Sequence, residues 1–142
     1  MGSRREAREL ALQALYQLDV TGEADPAATL AHFDAEAKPE VKTFARELVD
    51  GVGAHRERID ALIAESAEHW RLPRLSRVDL SLLRLATFEL LARPDIPASV
   101  TIDEAIEIAR RFGGEDSASF VNGVLDHIAQ VLGVKEKRRS AE

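Results

Sequence analysis

The segment VDLSLLRLATFELL, residues 78–91, limits the possible folds of this 142-residue chain more than any other stretch. At about 100° per residue its apolar side chains point in nearly every direction, and a helix that is apolar all round is typical of a buried position. These side chains are Val78, Leu80, Leu82, Leu83, Leu85, Ala86, Leu90 and Leu91. Such a helix needs other elements around it, so the segment predicts a core built around one central helix.

The rest of the chain shows helical periodicity, whereas β-branched runs are short and do not alternate with polar residues. We expect further helices at about 3–19, from 26, from 39 to about 69, from 101 to 112, and from 116 or 117 onward. The pattern predicts an all-α fold of six or seven helices in two packed bundles. We expect one domain over 1–142, with an N-terminal lobe at about 1–70, a C-terminal lobe at about 74–133 and a basic tail at 134–142.

Several helix ends carry recognisable capping residues. Single side-chain caps are expected at Asp25 before Pro26 and at Asp116 or Ser117. Capping boxes are expected at Ser76 with Asp79 and at Thr101 with Glu104, and Gly22 is suited to a left-handed helix end.

Gly51 and Gly53 fall inside the long third helix and weaken it locally. We favour the interpretation that they allow close contact with a neighbouring helix, and a kink is the alternative. On the central helix, Glu89 projects between Leu82 and Leu85, and a buried carboxylate needs a partner. A structural ion pair or a cap is therefore expected there, in preference to a catalytic role.

The composition excludes several classes of protein. A formal net charge of −6 argues against a general nucleic-acid binder, although both ends of the chain are locally basic. There is no cysteine, no apolar run long enough to span a membrane and no apolar leader, which together predict a soluble, cytoplasmic protein. The four histidines lack paired ligand spacing and no catalytic motif stands out. We therefore expect no enzyme activity, no metal and no cofactor.

The first helix carries cations and an aromatic ring on a face that its apolar stripe does not use. This face comprises Arg5, Arg8, Leu12 and Tyr16, spaced three, four and four residues apart. Arginines can hold phosphates while unpaired bases stack on aromatic rings. The alternative is that the arginines pair with residues of the same helix and Tyr16 covers a neighbouring helix, and this helix alone does not decide between the two.

The start of the last helix, within DSASFVNGVLD at 116–126, offers a second such face. Phe120 lies on the flank of the core stripe, and Asn122 and Gly123 point away from it. Asp116, Ser117 and Ser119 place polar groups around the exposed amides of a helix start, which favour anions. The alternative is structural, with Phe120 covering the core, Asn122 bonded internally and Gly123 admitting a neighbouring helix.

Three blocks carry a resemblance to a known family. RREARELALQALYQLD, VDLSLLRLATFELL and IPASVTIDEAIEIARRFGGEDSASFVNGVLD are similar, in this order, to the NusB family of bacterial transcription antitermination factors. The resemblance implies two three-helix bundles and binding to the boxA element of nascent ribosomal RNA leader transcripts. It also implies a heterodimer with the ribosomal protein NusE within an antitermination complex on RNA polymerase. Some members of the family form homodimers.

In that family the first helix and the start of the last helix contact RNA. Carried over to this chain, the resemblance indicates Arg4, Arg5, Arg8, Tyr16, Asp116, Ser117, Phe120 and Asn122. The family often has a lysine directly before FVNGV, where this chain has Ser119, so RNA binding by the protein alone is expected to be modest. An adaptor that binds little RNA itself is the main alternative. A third class, the N-terminal part of an RNA cytosine methyltransferase, is disfavoured because the chain lacks cysteine.

Overall fold

A computed structural model describes residues 2–22, 25–67 and 75–134, and these residues form seven α-helices and no strand. The helices are α1 (Gly2–Thr21), α2 (Pro26–Asp34), α3 (Pro39–Ala54), α4 (Arg56–Ser66), α5 (Arg77–Ala92), α6 (Ala98–Phe112) and α7 (Ser117–Leu132). The predicted all-α class is therefore confirmed. The basic residues at 135–139 and the predicted helix end at His69 lie outside the described residues.

Helix α5 is the centre of the molecule. Every residue from 81 to 90 is buried, and α5 contacts α1, α3, α4, α6 and α7. Helices α1, α2 and α3 pack against one another on one side of it, while α6 and α7 pack together on the other side, where α4 joins α7. This arrangement confirms the central helix predicted from the apolar segment 78–91 and gives two bundles that share one core.

The single helix predicted from 39 to about 69 is two helices in the structure. Helix α3 ends at Ala54 and α4 begins at Arg56, with His55 between them at φ −113° and ψ 20°. The His55 amide donates to the Gly51 carbonyl at 3.0 Å, and the Ile59 amide donates to the His55 carbonyl at 2.9 Å. The prediction was wrong because hydrophobic spacing continues through the break, where the chain passes from the first bundle to the second.

The two glycines of α3 differ in their surroundings. A methyl group at Gly51 would overlap the ring of Phe88 on α5, whereas one at Gly53 would meet no atom within 4 Å. The predicted close contact is confirmed at Gly51, where the ring takes the space a side chain would need. Gly53 instead is the second-to-last residue of α3, beside the break.

Three of the predicted helix ends are present. The Asp25 carboxylate accepts from the Ala28 amide at 3.2 Å, and the Ser76 hydroxyl accepts from the Asp79 amide at 3.0 Å. Gly22 follows α1 at φ +73°, a left-handed conformation that glycine adopts without strain.

The capping box predicted at Thr101 and Glu104 is wrong, because α6 begins three residues earlier, at Ala98 after Pro97. Both side chains face other helices. The Thr101 hydroxyl donates to Glu89 on α5 at 3.1 Å, and the Glu104 carboxylate accepts from Arg5 on α1. Residues with capping chemistry are used here to join α6 to its neighbours.

Candidate nucleic-acid interface

Arg8 lies in the interior rather than on the outer face of α1. Its Nε and Nη2 donate to the two carboxylate oxygens of Glu89 at 2.7 and 2.8 Å, and the side chains are 4% and 1% exposed. The expected structural ion pair of Glu89 is therefore confirmed. The assignment of Arg8 and Leu12 to a face spared from the core is wrong, because α1 packs against α3 and α5 at once and buries a wider stripe than its aliphatic residues indicate.

Arg5 remains partly exposed and is held by α6. Its Nε and Nη2 donate to the Glu104 carboxylate at 2.7 and 2.9 Å, and 42% of the side chain stays accessible. The hydrogen bond with Arg5 lowers the pKa of Glu104 below its ordinary value and raises that of Arg5. A guanidinium has five N–H donors, so this pairing leaves donors for a second anion.

Arg4 is exposed on the side of α1 that faces α3, where its guanidinium lies 5.1 Å from the centroid of the Phe44 ring. Arg4 and Arg5 therefore flank the start of α1 on two sides, one toward α3 and the other toward α6.

Tyr16 projects toward the end of α6 at which α7 begins. The pairs Arg5–Glu104 and Glu9–Arg111 follow the same order along α1 and α6, so the two helices, bridged by these side chains, point in the same general direction. Tyr16 follows Glu9 by seven residues, so it shares that face and lies about 10 Å farther along the axis. Its ring is 39% exposed. Tyr16 therefore lies farther along the axis than Arg111, at the height where α6 ends and the connection to α7 starts.

The first turn of α7 combines buried and exposed side chains. Ser117 is buried, and its hydroxyl accepts from the Gly114 amide at 2.8 Å, which fixes the turn between α6 and α7. Asp116, Ser119 and Asn122 are exposed. The polar groups predicted at this helix start are thus divided, with Ser117 used inside the protein and the other three on its surface.

Phe120 packs into the core at 8% exposure, yet it also lines a surface cavity of about 410 Å³. The other lining residues are Ser66, Asp116, Ser119, Gly123 and Val124. A methyl group at Gly123 would meet no atom within 4 Å, so the alternative in which Gly123 admits a neighbouring helix is wrong. The glycine leaves the cavity open instead.

Two residues at the end of α6 were not singled out from the sequence. Arg111 pairs with Glu9 at 2.6 Å, and its guanidinium lies 5.2 Å from the ring centroid of Phe112, which is 39% exposed. The available signal was the string ARRFGG, in which an aromatic ring closes an apolar stripe directly before two glycines.

Charge along the face between α1 and α6 is formally balanced. Three arginines each pair with a glutamate there, as Arg5–Glu104, Arg111–Glu9 and Arg110–Glu107. Within the described residues no cluster of potential ligands could hold a metal ion, and no helix is long and apolar enough to cross a membrane. The arrangement thus offers arginine donors and aromatic rings on an electrically mixed surface.

Comparison with known proteins places these features in one family. The NusB family model matches residues 5–130. The transcription antitermination protein NusB of Geobacter sp. strain M21 is 51% identical, with 96% of this chain and 100% of that protein aligned. The counterpart from Myxococcus xanthus is 50% identical, over 93% of this chain and 98% of its own.

Solved structures agree with this assignment. NusB of T. maritima superposes with a TM-score of 0.84 at 45% identity, covering 89% of this chain and 90% of the other. A chain from a crystal structure of the antitermination factors NusB and NusE in complex with dsRNA superposes with a TM-score of 0.83 at 28% identity, covering 92% and 98%. On sequence and structure together, this chain belongs to the NusB family.

Proposed function

We propose that this protein is a transcription antitermination factor that binds the boxA element of nascent ribosomal RNA leader transcripts together with the ribosomal protein NusE. It acts without catalysis, in the cytoplasm, as part of an antitermination complex on RNA polymerase. Relatives at about half identity carry the antitermination name, and a structural neighbour was solved with NusE and dsRNA.

The feature that supports RNA binding best is the exposed ring of Tyr16 on the face of α1 that pairs with α6. Because α1 and α6 run in the same direction, the exposed ring of Tyr16 extends toward the turn that leads to Asp116 and Ser119. The ring of Tyr16, the guanidinium of Arg111 and the amides of a helix start then border one end of the molecule. Single-stranded RNA is bound by this combination of stacking and phosphate contacts.

The candidate residues divide into two groups by burial. We propose that the exposed ones contact RNA directly, and these are Arg4, Arg5, Tyr16, Asp116, Ser119 and Asn122. Arg8 and Ser117 are buried and bonded inside the protein, so we propose that they hold α1 and the α6–α7 turn in place. Phe120 belongs to both groups, since it packs in the core and lines the cavity beside Ser119.

A titration with boxA RNA tests this function. The full-length protein would be added to a labelled single-stranded oligonucleotide carrying boxA, with and without NusE, and anisotropy would be followed at several salt concentrations. We expect specific binding that tightens when NusE is present, because two linked surfaces bind more tightly than either alone. Equal affinity for boxA and a scrambled oligonucleotide, with NusE present, would contradict the proposal.

The balanced charge between α1 and α6 favours a second candidate, an adaptor that itself binds little RNA and forms a heterodimer with NusE or a homodimer. Three arginines at this face are already paired with glutamates, so the binding of this face to an RNA backbone would release few counterions from the phosphates. The two functions differ in the salt dependence of binding. Arg5→Gln should make that dependence shallower if Arg5 contacts a phosphate and leave it unchanged in an adaptor.

A further inference from the structure

Phe112 is unusually exposed for its position on α6. It follows Ala105, Ile108 and Ala109 by seven, four and three residues, which places it on the same side of the helix as these buried residues. Its ring is nevertheless 39% exposed. The end of α6 therefore extends beyond the hydrophobic core, and the neighbouring helices leave the Phe112 ring uncovered.

Three other phenylalanines among the described residues are buried. Phe44, Phe88 and Phe120 are 8%, 5% and 8% exposed. Phe112 is also the last residue of α6, five residues before α7 begins. An open aromatic face thus lies at the connection between the two helices.

Arg111 ties this ring to the first helix. Its guanidinium carbon lies 5.2 Å from the Phe112 centroid, and its Nη1 donates to Glu9 at 2.6 Å, while 61% of the side chain remains accessible. The contact with Glu9 holds the cation beside the ring. Glu9 lies on the same face of α1 as Arg5 and Tyr16, so the ring and its cation continue that surface toward α7.

The chemistry around the ring favours a flat, aromatic and anionic occupant over an apolar protein segment. Arg111, the cation beside Phe112, is paired with Glu9, and an apolar partner that covered the ring would have to strip this ion pair of water. A nucleotide needs no such loss, because its base covers the ring while its phosphate reaches the exposed arginine edges.

We propose that Phe112, with the Arg111 guanidinium beside it, is a stacking platform for one unpaired base of the bound RNA. Arg111 donates to the phosphate of the same or the adjacent nucleotide. This inference rests on the proposed function, since it adds a subsite between the face of α1 and the start of α7. It assigns to the end of α6 a role that the two predicted faces do not include.

Three variants at one position test the platform in the full-length protein. Phe112→Leu keeps an apolar side chain of similar size but removes the ring face, whereas Phe112→Trp enlarges it. By anisotropy with the boxA oligonucleotide, we expect Leu to weaken binding at least about fivefold, the lower end of the range for one stacked base, and Trp to retain it. Val131→Ala is the matched control, because Val131 is 48% exposed in the last turn of α7.

A fluorescence measurement gives an independent readout. The natural chain contains a single tryptophan, Trp70, so the spectrum of Phe112→Trp minus that of the wild type reports on position 112. We expect added boxA RNA to quench the emission at position 112 as a base stacks on the indole. Circular dichroism and thermal unfolding would establish that each variant is folded.

The outcomes separate this inference from the function on which it rests. If the wild type binds boxA and Phe112→Leu binds within twofold of it, the platform is wrong while the function stands. If Phe112→Leu weakens the complex with NusE but not with RNA, the ring is a protein contact and the platform is again wrong. If the wild type shows no preference for boxA even with NusE, the function and the platform fail together.

Discussion

The guanidinium of Arg8 and the carboxylate of Glu89 join α1 to α5 as a buried bidentate ion pair, with N–O distances of 2.7 and 2.8 Å. Thr101 of α6 donates a further hydrogen bond to Glu89 at 3.1 Å. Three helices from the two bundles therefore meet at one carboxylate. A residue that the sequence indicated for phosphate binding is part of the interior.

Removing one partner of this pair should destabilise the protein strongly. We expect Arg8→Met to lower the free energy of unfolding by about 3–5 kcal/mol, because Glu89 would be left buried without its counterion. Replacing both residues, as Arg8→Met with Glu89→Leu, should recover much of the loss. Urea unfolding followed by circular dichroism measures both. The control is Arg5→Met, whose partly exposed pair with Glu104 should contribute much less to stability; equal effects at Arg5 and Arg8 would contradict this account.

Two glycine-to-alanine changes should act in opposite directions. Gly123→Ala should stabilise the protein by about 0.5–1 kcal/mol, since glycine weakens a helix interior and a methyl group there has open space. Gly51→Ala should destabilise it by about 1–3 kcal/mol, because the new methyl group overlaps the Phe88 ring. Thermal unfolding of the two variants side by side decides the matter, and a gain in stability at position 51 would show that Phe88 moves freely.

Tyr16 is a cleaner probe of RNA stacking than Phe120. Tyr16→Ala should weaken boxA binding by about 1–3 kcal/mol. Because Tyr16 is 39% exposed, the substitution should leave the unfolding temperature nearly unchanged. Anisotropy titration and differential scanning calorimetry give the two quantities. A variant that is folded and binds like the wild type would remove Tyr16 from the site.

Phe120→Ala should instead reduce stability as well as binding. The ring is 8% exposed and belongs to the core, where removing a phenylalanine side chain costs about 3–5 kcal/mol. The RNA affinity of this variant is therefore informative only when it is measured without denaturant and well below the melting temperature of the variant. Urea unfolding measures the stability, and an effect below about 1 kcal/mol would mean that the ring packs loosely.

The ion pair between Arg5 and Glu104 should make stability depend on pH in mild acid. The hydrogen bond from Arg5 lowers the pKa of folded Glu104 below the ordinary 4.5, so the pair contributes stability above that pH and the contribution disappears as pH falls through the folded pKa. We expect Glu104→Gln to melt at a lower temperature than the wild type at neutral pH, with the difference narrowing as the pH falls below 4.5. A constant difference across that range would exclude titration of Glu104 as the cause.

Much of the fold follows from hydrophobic spacing and from a few caps. The all-round apolar segment 78–91 predicts the central helix, and Asp25 and Ser76 mark the starts of α2 and α5. These features depend on residues close in sequence. The break at His55 does not, because the apolar spacing on either side of it is continuous and only the position of the second bundle requires the chain to turn.

The candidate site is harder to predict from the sequence for the same reason. Whether an arginine on α1 is exposed depends on what lies opposite, and Arg8 meets Glu89 from a segment 81 residues away. Conversely, Phe112 lies on the apolar side of α6 and its exposure depends on where the neighbouring helices stop. Side-chain chemistry identifies which helix faces are candidates, but long-range pairing decides which residues remain at the surface.

Because α5 supplies interior side chains to both sides of the molecule, neither half has a complete hydrophobic centre of its own. Cutting the chain between α3 and α4, or expressing residues 2–54 alone, would leave apolar surface facing water on each fragment. Unfolding should therefore be a single cooperative transition, with the melting curves of probes placed in α2 and in α7 superimposing.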